Sequence, residues 1–379
     1  MPKPYEHLGV YSDLAHTAKR VNHLFPKPKA GRALQKRLFE AVGFNPGPAK
    51  PKQVRVERAW ERDGVAGEFI TWSVGYGPRT EAWLLRPAGV KGKLPGVLAL
   101  HDHGGFKFFG KEKIADGPDG PAFDMPNRMT RVYGGRPFAN ELARRGFAVL
   151  AFDVYLFGSR KVPYEQIPDR FRDLGERLIN AEAAPEKPLH QNVYNRVAGL
   201  HETWVGYYAR LLGTTIGGIA CYEDRVAAAY LASRKDVQPG GIGCVGLSGG
   251  GFRSGSLNGT CTDIRAAVVV AAMCSMEGLL NRHVVCHGTD WFPNAWSSIG
   301  DWPDIASARA PSPLMVMYNS DDPLFSTDGM RAANHRLKAI YRSARKPTHY
   351  TGRFYPGPHK FDAQMQDDAF AWLGQQLNA

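Results

Sequence analysis

The stretch Gly241-Ile242-Gly243-Cys244-Val245-Gly246-Leu247-Ser248-Gly249-Gly250-Gly251 decides the fold. A short apolar run enters Gly-x-Ser-x-Gly, and a helical pattern with a glycine-rich start follows. That is the setting of a nucleophile elbow, a strand-to-helix turn so tight that its central residue is held in strained backbone geometry. The residues two positions to either side must then lack side chains, and Gly246 and Gly250 do. The serine hydroxyl is left standing above the sheet, beside the first free amides of the next helix. A glycine-rich turn with an incidental serine would carry the same short pattern, so the surrounding chain has to separate the two.

Outward from the elbow, apolar runs alternate with helical periodicity. Before it lie Gly96–Leu100, Phe147–Phe152 and an amphipathic helix over Ile219–Arg234. After it come Ala266–Ala272, Leu314–Tyr318, a weaker Tyr350–Tyr355 and a last helix from Asp362 to Gln376. Pro137–Arg145 reads as a helix with proline in its first turn, where no N–H is needed. Such alternation predicts an α/β fold with a mostly parallel, doubly wound sheet and helices on both faces. Upstream, Gln53–Ala59, Glu68–Val74 and Thr80–Arg86 alternate as strands do and suit an antiparallel start to that sheet. The first 52 residues, partly helical over Ala30–Val42 and ending in a Pro/Lys-rich connector, read as an N-terminal arm; residues 53–379 read as the main domain. Three long connections, about 106–136, 157–218 and 275–311, leave from carboxyl ends of strands, where ligands bind in such sheets. They carry Trp204, Tyr207, Tyr208, Trp291, Phe292, Trp296 and Trp302, most of which are expected to pack the insertions onto the body and a minority to line a cleft.

Composition narrows the class. The chain has 379 residues, 43% of them hydrophobic, which is globular. Its longest apolar run, Ala266 to Cys274, is far short of the ~20 residues that span a bilayer. No apolar core marks a secretory signal near the start, so a cytoplasmic protein without membrane partners is expected. Five cysteines with no Cys-x-x-Cys pair fit reduced thiols. The net charge of +12 comes from scattered basic residues without a nucleic-acid motif, so a solvated basic surface is expected rather than a nucleic-acid partner.

A serine needs a base to take its proton, and the base needs an acid to fix its tautomer. In this fold class the order is serine, acid, histidine. Leu314–Phe325 reads as strand, turn, acid and proline; Asp321 and Asp322 compete, and the usual spacing before Pro-Leu favours Asp322. Phe354–Phe361 places His359 in a Pro/Gly turn ahead of the last helix; the rival, His349, falls at a strand start, where a ring more often packs. Two amides must also meet the developing oxyanion. One is expected at Gly249 and the other at His103, with Gly104 next, in His101-Asp102-His103-Gly104-Gly105 after the strand ending at Leu100. A metal held by His101, Asp102 and His103 is disfavoured, because adjacent residues do not easily turn three ligands onto one ion. Neither metal nor cofactor is expected.

These residues resemble the α/β-hydrolase superfamily, and within it the dienelactone-hydrolase and acetylxylan-esterase-like branch of bacterial serine hydrolases. The resemblance runs from about Glu68 to the C-terminus and rests on HDHGG (101–105), RRGFAVLAFDVYLFGSR (144–160), GLSGGG (246–251), SDDPLF (320–325) and PGPHKF (356–361). It implies a cofactor-free serine esterase with Ser248 as nucleophile, Asp322 as acid and His359 as base, acting on an acetyl or other short acyl ester of a carbohydrate or small molecule. A lactonase or amidase with the same triad, and a non-catalytic binding protein of this fold, are the alternatives. The sequence departs from dienelactone hydrolases, which use cysteine where Ser248 stands. It departs also from glucuronoyl esterases, whose arginine after the serine is replaced by Gly249, with Arg253 one helical turn further on.

Overall fold

A computed structural model describes residues 5, 7–122, 126–182, 190–287 and 291–378. Nine strands form one sheet: β1 (Lys52–Arg62), β2 (Val65–Ser73), β3 (Thr80–Pro87), β4 (Gly96–Leu100), β5 (Ala148–Phe152), β6 (Ile242–Leu247), β7 (Ile264–Val270), β8 (Leu314–Asn319) and β9 (Tyr350–Tyr355). Their order across the sheet is β1-β2-β3-β5-β4-β6-β7-β8-β9. The first three strands and the β3–β5 pair run antiparallel, and every pair from β5 to β9 runs parallel. This is a mostly parallel sheet with an antiparallel N-terminal edge.

The helices are α1 (Ser12–Val21), α2 (Arg32–Glu40), α3 (Pro126–Tyr133), α4 (Phe138–Arg144), α5 (Asp169–Glu182), α6 (His190–Leu211), α7 (Ile216–Ala232), α8 (Gly249–Thr260), α9 (Met276–Leu280), α10 (Trp302–Ala306), α11 (Thr327–Ser343) and α12 (Ala363–Leu377). They cover the sheet on both sides, which is why its central strands are apolar without interruption. Successive side chains divide between two cores. Leu98 and Leu100 of β4, with Leu150 and Phe152 of β5, face one shared with α7, α8 and α11. Val97, Ala99, Val149 and Ala151 face the other, shared with α4 and α12. By contrast β1 is exposed along nearly its whole length. Its Lys, Arg and Glu side chains blunt a free sheet edge.

Several expectations need correction. Pro137 is the N-cap of α4 rather than a first-turn residue. The helix expected as amphipathic is α7, and it is buried on nearly every side. Its charged residues are not solvated but paired: Glu223 takes the Arg160 guanidinium at 2.5 Å, and Asp224 takes Arg253 at 2.7 Å. The connection over 157–218 is not a loop, for it folds into the long helices α5 and α6. The N-terminal segment packs onto the main body. Leu34, Leu38 and Val42 sit in the main core, and the Trp296 indole N–H donates to the Leu38 carbonyl at 3.0 Å. All five cysteines are free thiols. Among the described residues no helix is long and apolar enough to cross a membrane.

Candidate active site

Ser248 joins β6 to α8 with φ 58° and ψ −121°, backbone values that a non-glycine residue holds only where its surroundings impose them. The imposing contacts are visible. The Ser248 N–H donates to the Val270 carbonyl of β7 at 2.9 Å. A methyl group added at Gly246 would stand 2.5 Å from the Gly250 carbonyl carbon, and one at Gly250 would stand 2.1 Å from the Leu100 carbonyl oxygen. The elbow is therefore wedged between β4 and β7, and only glycines permit that approach.

His359 lies in the turn between β9 and α12, and Asp322 in the turn after β8. The imidazole Nδ1 is 2.6 Å from Asp322 Oδ2, and Asp322 Oδ1 accepts from the Leu324 N–H at 2.9 Å. With Nδ1–H donating to a buried carboxylate, the lone pair of the neutral ring is left on Nε2. The rivals lie elsewhere. Asp321 accepts from the Gly357 N–H at 2.8 Å and shapes the turn, and the His349 Nδ1 is taken by the Pro311 carbonyl at 2.6 Å.

The loop after β4 brings the His103 backbone against the start of α8: a methyl group on Gly249 would stand 2.8 Å from the His103 nitrogen. Both expected oxyanion donors are thus neighbours. The loop is braced from behind by buried charge. Lys113 Nζ donates to the Asp102 carbonyl at 2.5 Å and the His103 carbonyl at 3.2 Å, and burial pushes its ammonium down to about 7. The Asp102 carboxylate pairs with Arg128 and accepts from the Tyr133 hydroxyl at 2.6 Å. Burial works against its charge, yet the Arg128 and Lys113 charges hold it well below the usual carboxylate range. With Asp102 spent on these partners, and the His101 Nδ1 on the Asp102 carbonyl at 3.0 Å, the segment is a structural brace. Among the described residues no group of three or more His, Cys, Asp or Glu is arranged around a metal position.

A cavity of about 640 Å3 has Ser248, Gly249, His103 and His359 in its wall, together with Phe252, Phe292, Trp291, Trp302 and Phe325. Of the aromatics singled out in the sequence, Trp291, Phe292 and Trp302 reach it. Trp296 is core, and Trp204, Tyr207 and Tyr208 are exposed on α6. All three insertions were candidates for the wall, but only 106–136 and 275–311 contribute described residues to it. Arg253 is not in the wall; its guanidinium is buried against Asp224 beneath the elbow. Arg128 and Arg131 of α3 supply cations to the wall, and no motif signalled them because they lie inside a long connection.

The chain resembles known esterases most clearly in its fold. A scan against protein-family profiles returns no match. A Bacillus subtilis protein provisionally named a hydrolase, YtaP, is 24% identical over 308 residues, covering 81% of this chain and 86% of the relative. Among solved structures, a provisionally named acetyl xylan esterase from Bacteroides fragilis superposes with a TM-score of 0.64 at 15% identity, over 91% of this chain and 81% of its own. A methylesterase, BT1017, superposes with a TM-score of 0.56 at 18% identity, and the match spans 91% of this chain but 63% of that longer one. The chain shares its fold with these solved esterase structures.

Proposed function

We propose that the protein is a cofactor-free serine hydrolase of carboxylic esters, with Ser248, His359 and Asp322 as its triad and Gly249 and His103 as oxyanion donors. The observation that carries this reading is the 2.6 Å contact from buried Asp322 to His359, which shares a cavity wall with a serine held at φ 58°. His359 Nε2 takes the Ser248 Oγ proton as the oxygen attacks the ester carbonyl carbon. The carbonyl oxygen becomes an alkoxide that accepts from the Gly249 and His103 N–H groups, aided by the N-terminal dipole of α8. His359 returns the proton to the departing alcohol, leaving an acyl group on Ser248. Water, deprotonated by the same nitrogen, releases the acid and restores the enzyme. Asp322 keeps its hydrogen bond from His359 Nδ1 and stabilises the imidazolium.

The carbohydrate and methyl esterases that share the fold favour an ester as the substrate. At about 640 Å3 the cavity is of the size that ordinary small-molecule sites have, so it has room for a sugar-sized or aromatic body beside a short acyl group. The test uses short-chain p-nitrophenyl esters and a fluorophosphonate probe. Wild type should hydrolyse the esters and label at Ser248. Ser248→Ala should lose roughly 10⁴- to 10⁶-fold in kcat and all labelling. Equal rates in the two proteins would end the proposal.

A further inference from the structure

The helical insertion 157–218 contributes nothing described to the cavity wall, yet it reaches the site from behind. Glu202, on α6, places both carboxylate oxygens on the His103 ring, with His103 Nε2 at 3.0 Å and 3.1 Å from them. The Gly105 N–H donates to His103 Nδ1 at 3.1 Å, so a neutral ring carries its proton on Nε2 and donates it to Glu202. The same carboxylate accepts from the Trp291 indole N–H at 3.1 Å and meets Lys107 Nζ at 2.9 Å. The His103 ring is also enclosed edge-on by Phe157 and Trp291, at 5.3 Å and 5.6 Å between centroids. A second polar contact ties the same helix to the same loop: the Phe108 N–H donates to Asn195 Oδ1 at 2.8 Å.

We propose that Glu202 is a positioning residue for the oxyanion hole: it locks the His103 side chain, and through it the His103 amide, against Gly249. The inference rests on the serine-esterase reading. The buried Lys107 ammonium also calls for a carboxylate at this spot, and burial alone opposes one. The Lys107 charge and the His103 contact hold Glu202 well below the usual carboxylate range, so it stays ionised. An ionised carboxylate facing a donor of fixed tautomer makes a strong, directional bond. An amide held this way needs no reorganisation when the alkoxide forms, and that is where oxyanion donors obtain their effect. A loosened amide should therefore slow turnover while leaving ground-state binding nearly intact.

Steady-state kinetics on the p-nitrophenyl esters, with Ser248→Ala as the control for the triad, separates the two levels. A wild type no faster than Ser248→Ala would remove the catalytic reading itself. An active wild type makes the rest decisive. Glu202→Ala should then lower kcat about 10- to 100-fold with KM changed less than about threefold, a partial loss of one oxyanion donor. Glu202→Gln, which still accepts from His103 Nε2, should recover most of that loss. His103→Leu keeps the amide and removes the ring contact, so it should cost as much as Glu202→Ala. The double variant should cost little more than either, because both cut one link. Hydrogen exchange of the peptide spanning residues 98–110 should speed up in Glu202→Ala irrespective of substrate. Unchanged kcat in Glu202→Ala, a loss lying wholly in KM, no recovery in Glu202→Gln or additive losses in the double variant would each overturn the proposal. If Glu202→Ala does not fold, His103→Leu tests the same link from its other end.

Discussion

Gly249 carries more than conformational freedom. The residue after Ser248 is the first of the proposed oxyanion donors, and its missing side chain lets the His103 nitrogen approach. A Cβ there would stand 2.8 Å from that nitrogen and 3.0 Å from the His103 Cβ. Gly249→Ala should thus push the two donors apart, lowering kcat by about 100-fold while folding normally, to be read from ester kinetics and circular dichroism. Wild-type turnover in that variant would place the oxyanion elsewhere. Lys113, behind the same loop, bears on stability. Its folded value of about 7 lies below the ordinary 10.5, so between those values the unfolded chain holds a proton that the folded chain lacks. Stability then rises with pH across that window, and the burial cost is felt in full below about 7. Relative to Lys113→Met, wild type should gain up to about 1.4 kcal/mol per pH unit between pH 7 and 9 in urea unfolding. A difference that stays flat with pH would mean the ammonium is not desolvated. Among single residues the sequence was most informative at Ser248 and His359, where glycine and proline leave few conformations. Spacing favoured Asp322 over Asp321; in the structure Asp322 contacts His359 and Asp321 accepts from the Gly357 N–H.

At the scale of elements, every parallel strand of the centre was readable as an apolar run, because burial on both faces leaves no polar positions. The same logic misled the reading of α7. Glu223, Asp224 and Arg225 look like a solvated face, and nothing local says that partners from residues 160 and 253 will arrive across the fold. Arg253 likewise could be placed near the serine but not turned away from the cavity. The pair it forms ties α7 to α8, and its guanidinium also donates to the His101 carbonyl at 3.3 Å, beneath both the elbow and the oxyanion loop. Arg253→Ala should leave Asp224 buried without that partner and cost about 3–5 kcal/mol. Replacing both by apolar residues of similar size should cost much less. Denaturant midpoints of the single and double variants decide it, and equal losses in the two would show that volume rather than charge is at stake. The helical insertions were opaque for a related reason: the contacts of α6 with the loop after β4 join residues about a hundred positions apart, beyond any periodicity.

Across the whole molecule, the N-terminal segment packs behind the wall that bounds the cavity. The Gly31 N–H donates to the Ala308 carbonyl and the Phe25 N–H to the Ser297 carbonyl, each at 2.8 Å, and Arg336 donates to the Pro28 carbonyl at 3.2 Å. Leu38 is fully buried, and its carbonyl takes the Trp296 indole N–H. Trp296 stacks on Trp302 at 6.5 Å, and Trp302 in turn stacks on Phe252 at 4.6 Å, both of them in the cavity wall. A chain of contacts therefore runs from the first helices to the substrate space, bypassing Ser248, His359 and Asp322. Leu38→Ala should cost about 2–5 kcal/mol, as a large-to-small change in a packed core does. Its kinetic signature should be the reverse of that expected for Glu202, with KM raised through a loosened aromatic wall and kcat changed little, because the proposed triad and oxyanion amides sit at the ends of the sheet strands rather than on this wall. Removing residues 1–45 should lower the unfolding temperature further, since it uncovers the partners of Leu34, Leu38 and Val42 together. Thermal unfolding and ester kinetics on the same two variants measure both effects. An unchanged unfolding temperature in Leu38→Ala would make the segment an accessory, and a fall in kcat alone would place its influence on the elbow instead of the wall.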